Sequence, residues 1–140
     1  AARALYTVQS NVSSHIARLE KELGVTLVDR TQGGLTEDGT RVVERARRIL
    51  ETNTDGVNAF LAARPDLACA PVDGGMIAFP RLLRGDVEEL CRRLRERHET
   101  TVVPGRFFGE PGHFRLALGC PPETLEGGLE RLAAALDEAD

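Results

Sequence analysis

The sequence is 140 residues long and 41% hydrophobic, with no Trp, one Tyr and five Phe. That length holds one ordinary domain or two small ones, and that composition excludes a disordered chain while predicting a largely aliphatic core. The net charge of -4 is unevenly spread, with eight Lys/Arg against six Asp/Glu in residues 1–50 and ten against sixteen in residues 51–140.

A basic segment can meet phosphates in a chain that is acidic overall, although Arg41, Arg45, Arg47 and Arg48 read equally well as the solvated face of a helix. Cys69, Cys91 and Cys120 are widely spaced and form no CxxC or Cys/His cluster. Reduced thiols in a cytoplasmic protein are therefore expected, rather than a disulfide framework or a metal site. No apolar run reaches bilayer-spanning length and no signal-peptide pattern is visible, so no membrane partner is expected.

The chain starts without Met, and residues 1–5 read as the end of a helix. A short turn at Tyr6-Thr7-Val8 and a second helix over 9–23 follow. In that helix Val12, Ile16, Leu19 and Leu23 share one face. The opposite face carries Gln9, Ser10, Asn11, Ser13, Ser14, Arg18 and Lys21. Short hydrogen-bonding groups near the helix start and cations further along suit base edges and phosphates. His15, a lone histidine on this polar face, has no partners for a metal site.

Gly24 is predicted to close the helix in a left-handed conformation. A short β-branched segment over 25–29 and a turn at Gln32-Gly33-Gly34 come next. Thr36 is placed to cap a long helix, with Glu37 and Asp38 in its electropositive first turn. The apolar positions Val42, Ala46, Ile49 and Leu50 continue through Val57, Phe60 and Leu61, while weak helix formers over 51–56 predict a kink or seam. Pro65-Asp66 ends the element.

Beyond it the period changes. Residues 67–72 and 76–79 are short apolar runs separated by Gly74-Gly75, and Pro80 stops the second. Gly85-Asp86 opens a helix with Val87, Leu90, Cys91 and Leu94 on one face. Residues 100–103 read as a strand, Pro104-Gly105 as a turn, and 114–118 as a strand in which Phe114, Leu116 and Leu118 face one way and Arg115 the other. A last helix begins near Pro121-Pro122, with Leu125, Leu129, Leu132, Ala133 and Leu136 on its inner stripe. This order predicts an α+β protein with a two-layer sandwich in its later part.

The string "QSNVSSHIARLEKELGVTLVDR", followed by Leu35-Thr36-Glu37-Asp38-Gly39, resembles the recognition helix and wing of LysR-type transcriptional regulators. The resemblance implies a helix in the DNA major groove. Gln9, Ser10 and Asn11 would lie nearest the bases, with Ser13, Ser14, His15, Arg18 and Arg30 on the edges or backbone. It also implies double-stranded DNA as partner and a homodimer formed through the long helix. The family's first helix is missing, Val8 stands where a capping Ser is usual, and the wing is short.

Further on, Pro71 with Gly74-Gly75, Met76-Ile77-Ala78-Phe79-Pro80-Arg81, Val102-Val103-Pro104-Gly105, Phe108-Gly109 and Phe114-Arg115-Leu116 resemble the small domain of class I/II pyridoxal-phosphate aminotransferases of fold type I. The resemblance implies that the two apolar runs around Gly74-Gly75 form the domain's first hairpin. It implies, too, that Arg115 grips the carboxylate of a small molecule by a two-pronged contact suited to a planar guanidinium.

The chain's one lysine, Lys21, lies in the helix assigned to DNA, and nothing resembles a phosphate cradle. No catalytic residue and no cofactor are expected, pyridoxal phosphate being expected only with a complete aminotransferase domain. The expected division is therefore 1–40 as an incomplete winged helix-turn-helix, 41–64 as a connecting helix shared by both parts, and 65–140 as the aminotransferase-like small domain. The leading functional expectation is a DNA-binding regulator with an aminotransferase-like accessory domain. The alternatives are an aminotransferase fragment and a non-catalytic interaction or dimerisation module.

Overall fold

The computed structural model describes residues 2–138, with the side chains of residues 2–10 outside that description. It is an α+β structure that divides into two compact units, Ala1–Arg47 and Arg48–Asp140, with the division falling inside a helix.

The first unit opens with α1 (Ala2–Leu23), a single helix. The turn expected at Tyr6-Thr7-Val8 is absent. No Gly or Pro precedes Gly24, so nothing local breaks the backbone there. Gly24 does close the helix with φ 70°, its N–H donating to the Glu20 carbonyl at 2.9 Å.

Strands β1 (Val28–Asp29) and β2 (Gly34–Leu35) then pair antiparallel as a small wing. The following helix, α2 (Glu37–Ala62), is capped as expected: Thr36 Oγ1 accepts from the Gly39 N–H at 3.0 Å and donates to the Thr26 carbonyl at 2.6 Å. Leu27 is the one large apolar side chain buried in this unit among the described residues. The apolar stripe of α1 is largely open among the described residues, with Val12, Leu19 and Leu23 39% to 50% exposed.

Residues 51–56 remain helical, so the predicted seam does not interrupt α2. The weak helix former Asn53 sits there for a tertiary reason. It is 2% exposed, and its Nδ2 donates to the carbonyls of Leu118 at 2.7 Å and Cys120 at 2.8 Å.

In the second unit, β3 (Leu67–Ala68) pairs with β5 (Arg81–Leu82), whereas β4 (Ile77–Ala78) joins β7 (Phe114–Ala117), which also pairs with β6 (Val103–Pro104). The hairpin expected across Gly74-Gly75 is therefore absent. Residue 72 is held instead by α2, the Asn58 amide exchanging hydrogen bonds with the Val72 backbone at 2.8 and 2.9 Å. Helices α3 (Val87–Arg97) and α4 (Pro122–Asp137) complete the unit.

Asp86 caps α3, accepting from the N–H groups of Glu88 and Glu89, and Val87, Leu90, Cys91 and Leu94 are buried as their spacing predicts. On α4 the buried stripe is Leu125, Leu132, Ala135 and Leu136, so Ala135 takes the place expected of Ala133. Phe114, Leu116 and Leu118 enter the core with Val57 from α2. Burial pushes the Cys91 thiol pKa up, which keeps it neutral in that core.

Candidate functional site

Two surfaces carry the residues singled out by the sequence, one in each unit. On α1, Asn11, Ser13, Ser14, His15 and Arg18 are exposed. Gln9 and Ser10 lie among the side chains outside the described residues.

Arg18 pairs with Glu22 one turn later, Nε to Oε1 at 2.8 Å, so its charge is partly met within the helix. Arg30, at the end of the wing's first strand, is exposed and 4.0 Å from Glu20. Glu20 links helix to wing: its Oε1 accepts from the Leu27 N–H at 2.8 Å and the Val28 N–H at 3.1 Å. Those two donors, and more weakly Arg30, hold its carboxyl below the usual glutamate range.

Gly39 permits the same junction. A Cβ there would stand 2.1 Å from the Leu27 carbonyl oxygen, so only a residue without one lets α2 rest on the wing strand. The Thr36 N–H donates to that same carbonyl at 3.0 Å. The sequence reading used Glu20 and Gly39 only as parts of a family string, and neither contact has a local signature.

In the second unit, Arg115 sits on β7 between Phe114, which is fully buried, and Leu116, at 7% exposure. Alternation places its side chain on the opposite face of the strand from those two. Its Nε is buried and without a hydrogen-bond partner, a state that buried donors rarely occupy. The guanidinium lies over the Phe108 ring at 5.8 Å. Arg115 also lines a cavity of about 420 Å³ together with Thr101, Val103, Cys120 and Thr124.

The chain returns Phe108 to this place through a tight 3-10 turn (Gly105–Phe108). A Cβ on Gly105 would meet the Glu110 carbonyl at 2.1 Å and the His113 carbonyl at 2.5 Å, so the Pro-Gly pair has a steric basis. Phe79 stacks on His113. His113 was missed by the sequence reading, its signal being that it shares the strand alternation of Arg115. Among the described residues no His/Cys/Asp/Glu group is arranged to hold a metal ion.

Comparison with known proteins gives each unit a likeness. Residues 1–40 match the family described as bacterial regulatory helix-turn-helix protein, lysR family. Along 144 aligned positions the chain is 28% identical to the HTH-type transcriptional regulator CfxR of Cupriavidus necator, covering 96% of this chain and 44% of that protein. It is 30% identical to a capreomycidine synthase of Streptomyces vinaceus over 133 residues, 94% of this chain and 32% of the relative.

Among solved structures it is similar to a PLP-dependent aminotransferase from Streptococcus suis. The TM-score is 0.68 and the identity 29%, over 72% of this chain and 27% of that one. The chain thus spans about a third of the length of the capreomycidine synthase and of an aspartate aminotransferase of Streptomyces avermitilis that it also matches. The family model is confined to residues 1–40, whereas the two relatives align along more than nine-tenths of the chain, and the structural likeness is to a part of an aminotransferase.

Pyridoxal phosphate, on which the Streptococcus suis aminotransferase depends, calls for an amine to bind it covalently and a cradle for its phosphate. Residues 48–140 contain no lysine, and Lys21 is exposed on α1 in the other unit. The residues present do not fit this cofactor.

Proposed function

We propose that residues 48–140 form the carboxylate-gripping part of a fold type I aminotransferase-like protein, in which Arg115 holds the carboxylate of an amino-acid-like ligand. The carrying observation is the buried, unpartnered Nε of Arg115 on β7, in a unit whose fold is that of an aminotransferase part. A carboxylate would give that donor its missing acceptor, and a guanidinium offers it a second, parallel hydrogen bond. Any bond-breaking chemistry would belong to a cofactor-bearing domain that residues 48–140 do not supply. The test is acetate binding, followed by chemical-shift changes at residues 103–117 in the intact chain. Saturable shifts that disappear in Arg115→Leu are expected, and equal shifts in both proteins would refute the role.

A second reading is favoured by the wing and exposed polar helix face in the segment that matches the lysR family. In it, α1 meets double-stranded DNA through Gln9, Ser10, Asn11, Ser13, Ser14, His15, Arg18 and Arg30, and α2 pairs two copies on a two-fold site. Retention on a palindromic duplex should fall with salt, and Arg18→Ala should lower the salt slope by about 1. No retention at low ionic strength would end this reading.

A further inference from the structure

Around Arg115 the aromatic surfaces follow one another without a gap. The guanidinium faces Phe108, Phe108 stands edge-on to Phe79 at 5.7 Å and 89°, and Phe79 lies flat on His113 at 5.0 Å and 11°. Phe108 is still 50% exposed, so its ring has area to offer a ligand. Glu110 adjoins the row at His113, its Oε2 3.6 Å from His113 Nδ1. Among the described residues none gives Arg115 Nε a hydrogen-bond partner.

We infer that this surface selects carboxylates whose remaining part is an aromatic or flat apolar group, Arg115 taking the acid and the Phe108–Phe79 pair the ring. The inference rests on the carboxylate role of Arg115 and adds the ligand class. A ring laid beside Phe108 would exchange water for an offset or edge contact with a neighbouring aromatic face. A short diacid would set its second carboxylate against ring faces that carry negative charge density. It would lose hydration there without gaining a donor. Glu110, beside His113, adds repulsion to that end of the row.

The experiment is a ligand-observed NMR titration of the full chain with propanoate, 3-phenylpropanoate and succinate at one pH and ionic strength. The aromatic acid is expected to bind about tenfold tighter than propanoate, with succinate no tighter than propanoate. Phe108→Ala should shrink the preference for the aromatic acid, and Phe108→Tyr should keep it. Equal affinities for propanoate and 3-phenylpropanoate, or tightest binding of succinate, would overturn the selectivity while leaving the Arg115 role standing. Failure of all three acids to bind, or 3-phenylpropanoate affinity unchanged in Arg115→Leu, would remove that role and the selectivity with it.

Discussion

Residues 1–47 and 48–140 are held together by different means. In the first unit Leu27 is the only large apolar side chain buried among the described residues, and order comes from polar ties. Glu20 binds two backbone N–H groups of the wing, Thr36 caps α2 while holding Thr26, and Asp29 accepts from the N–H groups of Thr31 and Gln32. In the second unit Phe114, Leu94, Leu118 and Leu132 are sealed into one core.

Polar residues there serve that core. Asn53 holds the chain after β7, and Arg64 forks onto both oxygens of Asp66 while reaching Asp137 at the end of α4. Burial of apolar area responds little to pH, whereas hydrogen bonds to an ionised carboxylate weaken when it is protonated. The two units should consequently fail under different conditions.

Three measurements can break or sharpen this contrast. Phe114→Ala empties the centre of the second unit. It should cost about 3–5 kcal/mol there by chemical denaturation. A loss below 1 kcal/mol would mean that the core is not the source of its stability.

Gly39→Ala drives a methyl group into the Leu27 carbonyl and should destabilise the first unit by about 1–3 kcal/mol, since backbone must move to admit it. Hydrogen exchange at the amides of residues 27–36 reads this directly, and unchanged protection would contradict the close approach.

The gentlest probe is acid. The folded-state pKa of Glu20 lies below its ordinary 4.5 because the Leu27 and Val28 amides stabilise the carboxylate. Its contribution is therefore fully present above about 4.5 and is lost as pH falls through the lower folded value. Asp29 is depressed in the same direction by the Gln32 and Thr31 amides, so it adds to the same acid-side loss. Amides of the wing should open on the acid side before those of β7. Glu20→Gln should weaken the wing at neutral pH and flatten its pH dependence, and identical profiles for the two proteins would deny Glu20 this function.

Much of the architecture was legible because it repeats locally. The stripe of α3, the alternation of β7, the Thr36 cap and the Gly24 stop each depend on residues a few positions apart. The turn expected at Tyr6-Thr7-Val8 is absent from the continuous α1, since β-branched residues lower helix propensity only slightly and no Gly or Pro breaks the backbone there. The pairing of β3 with β5 was missed because strands of two residues leave almost no periodic signal and their partners are selected by the core. The candidate site was half visible. Arg115 stood out by alternation and resemblance, yet its orphaned Nε and the row Phe108, Phe79, His113 depend on a loop folding back.

Sequence alone determined the buried stripe of α3, the alternation of β7, the Thr36 and Gly24 helix ends and the absence of lysine from residues 48–140, because each follows from spacing or from composition. Only the tertiary structure decided that the α1 stripe stays open, that Asn53 is buried to hold residues 118 and 120, and that Glu20 and Gly39 join helix to wing. Those outcomes depend on which distant backbone group comes within hydrogen-bonding or van der Waals reach, a distance set by the packing of the chain and encoded in no short stretch of it.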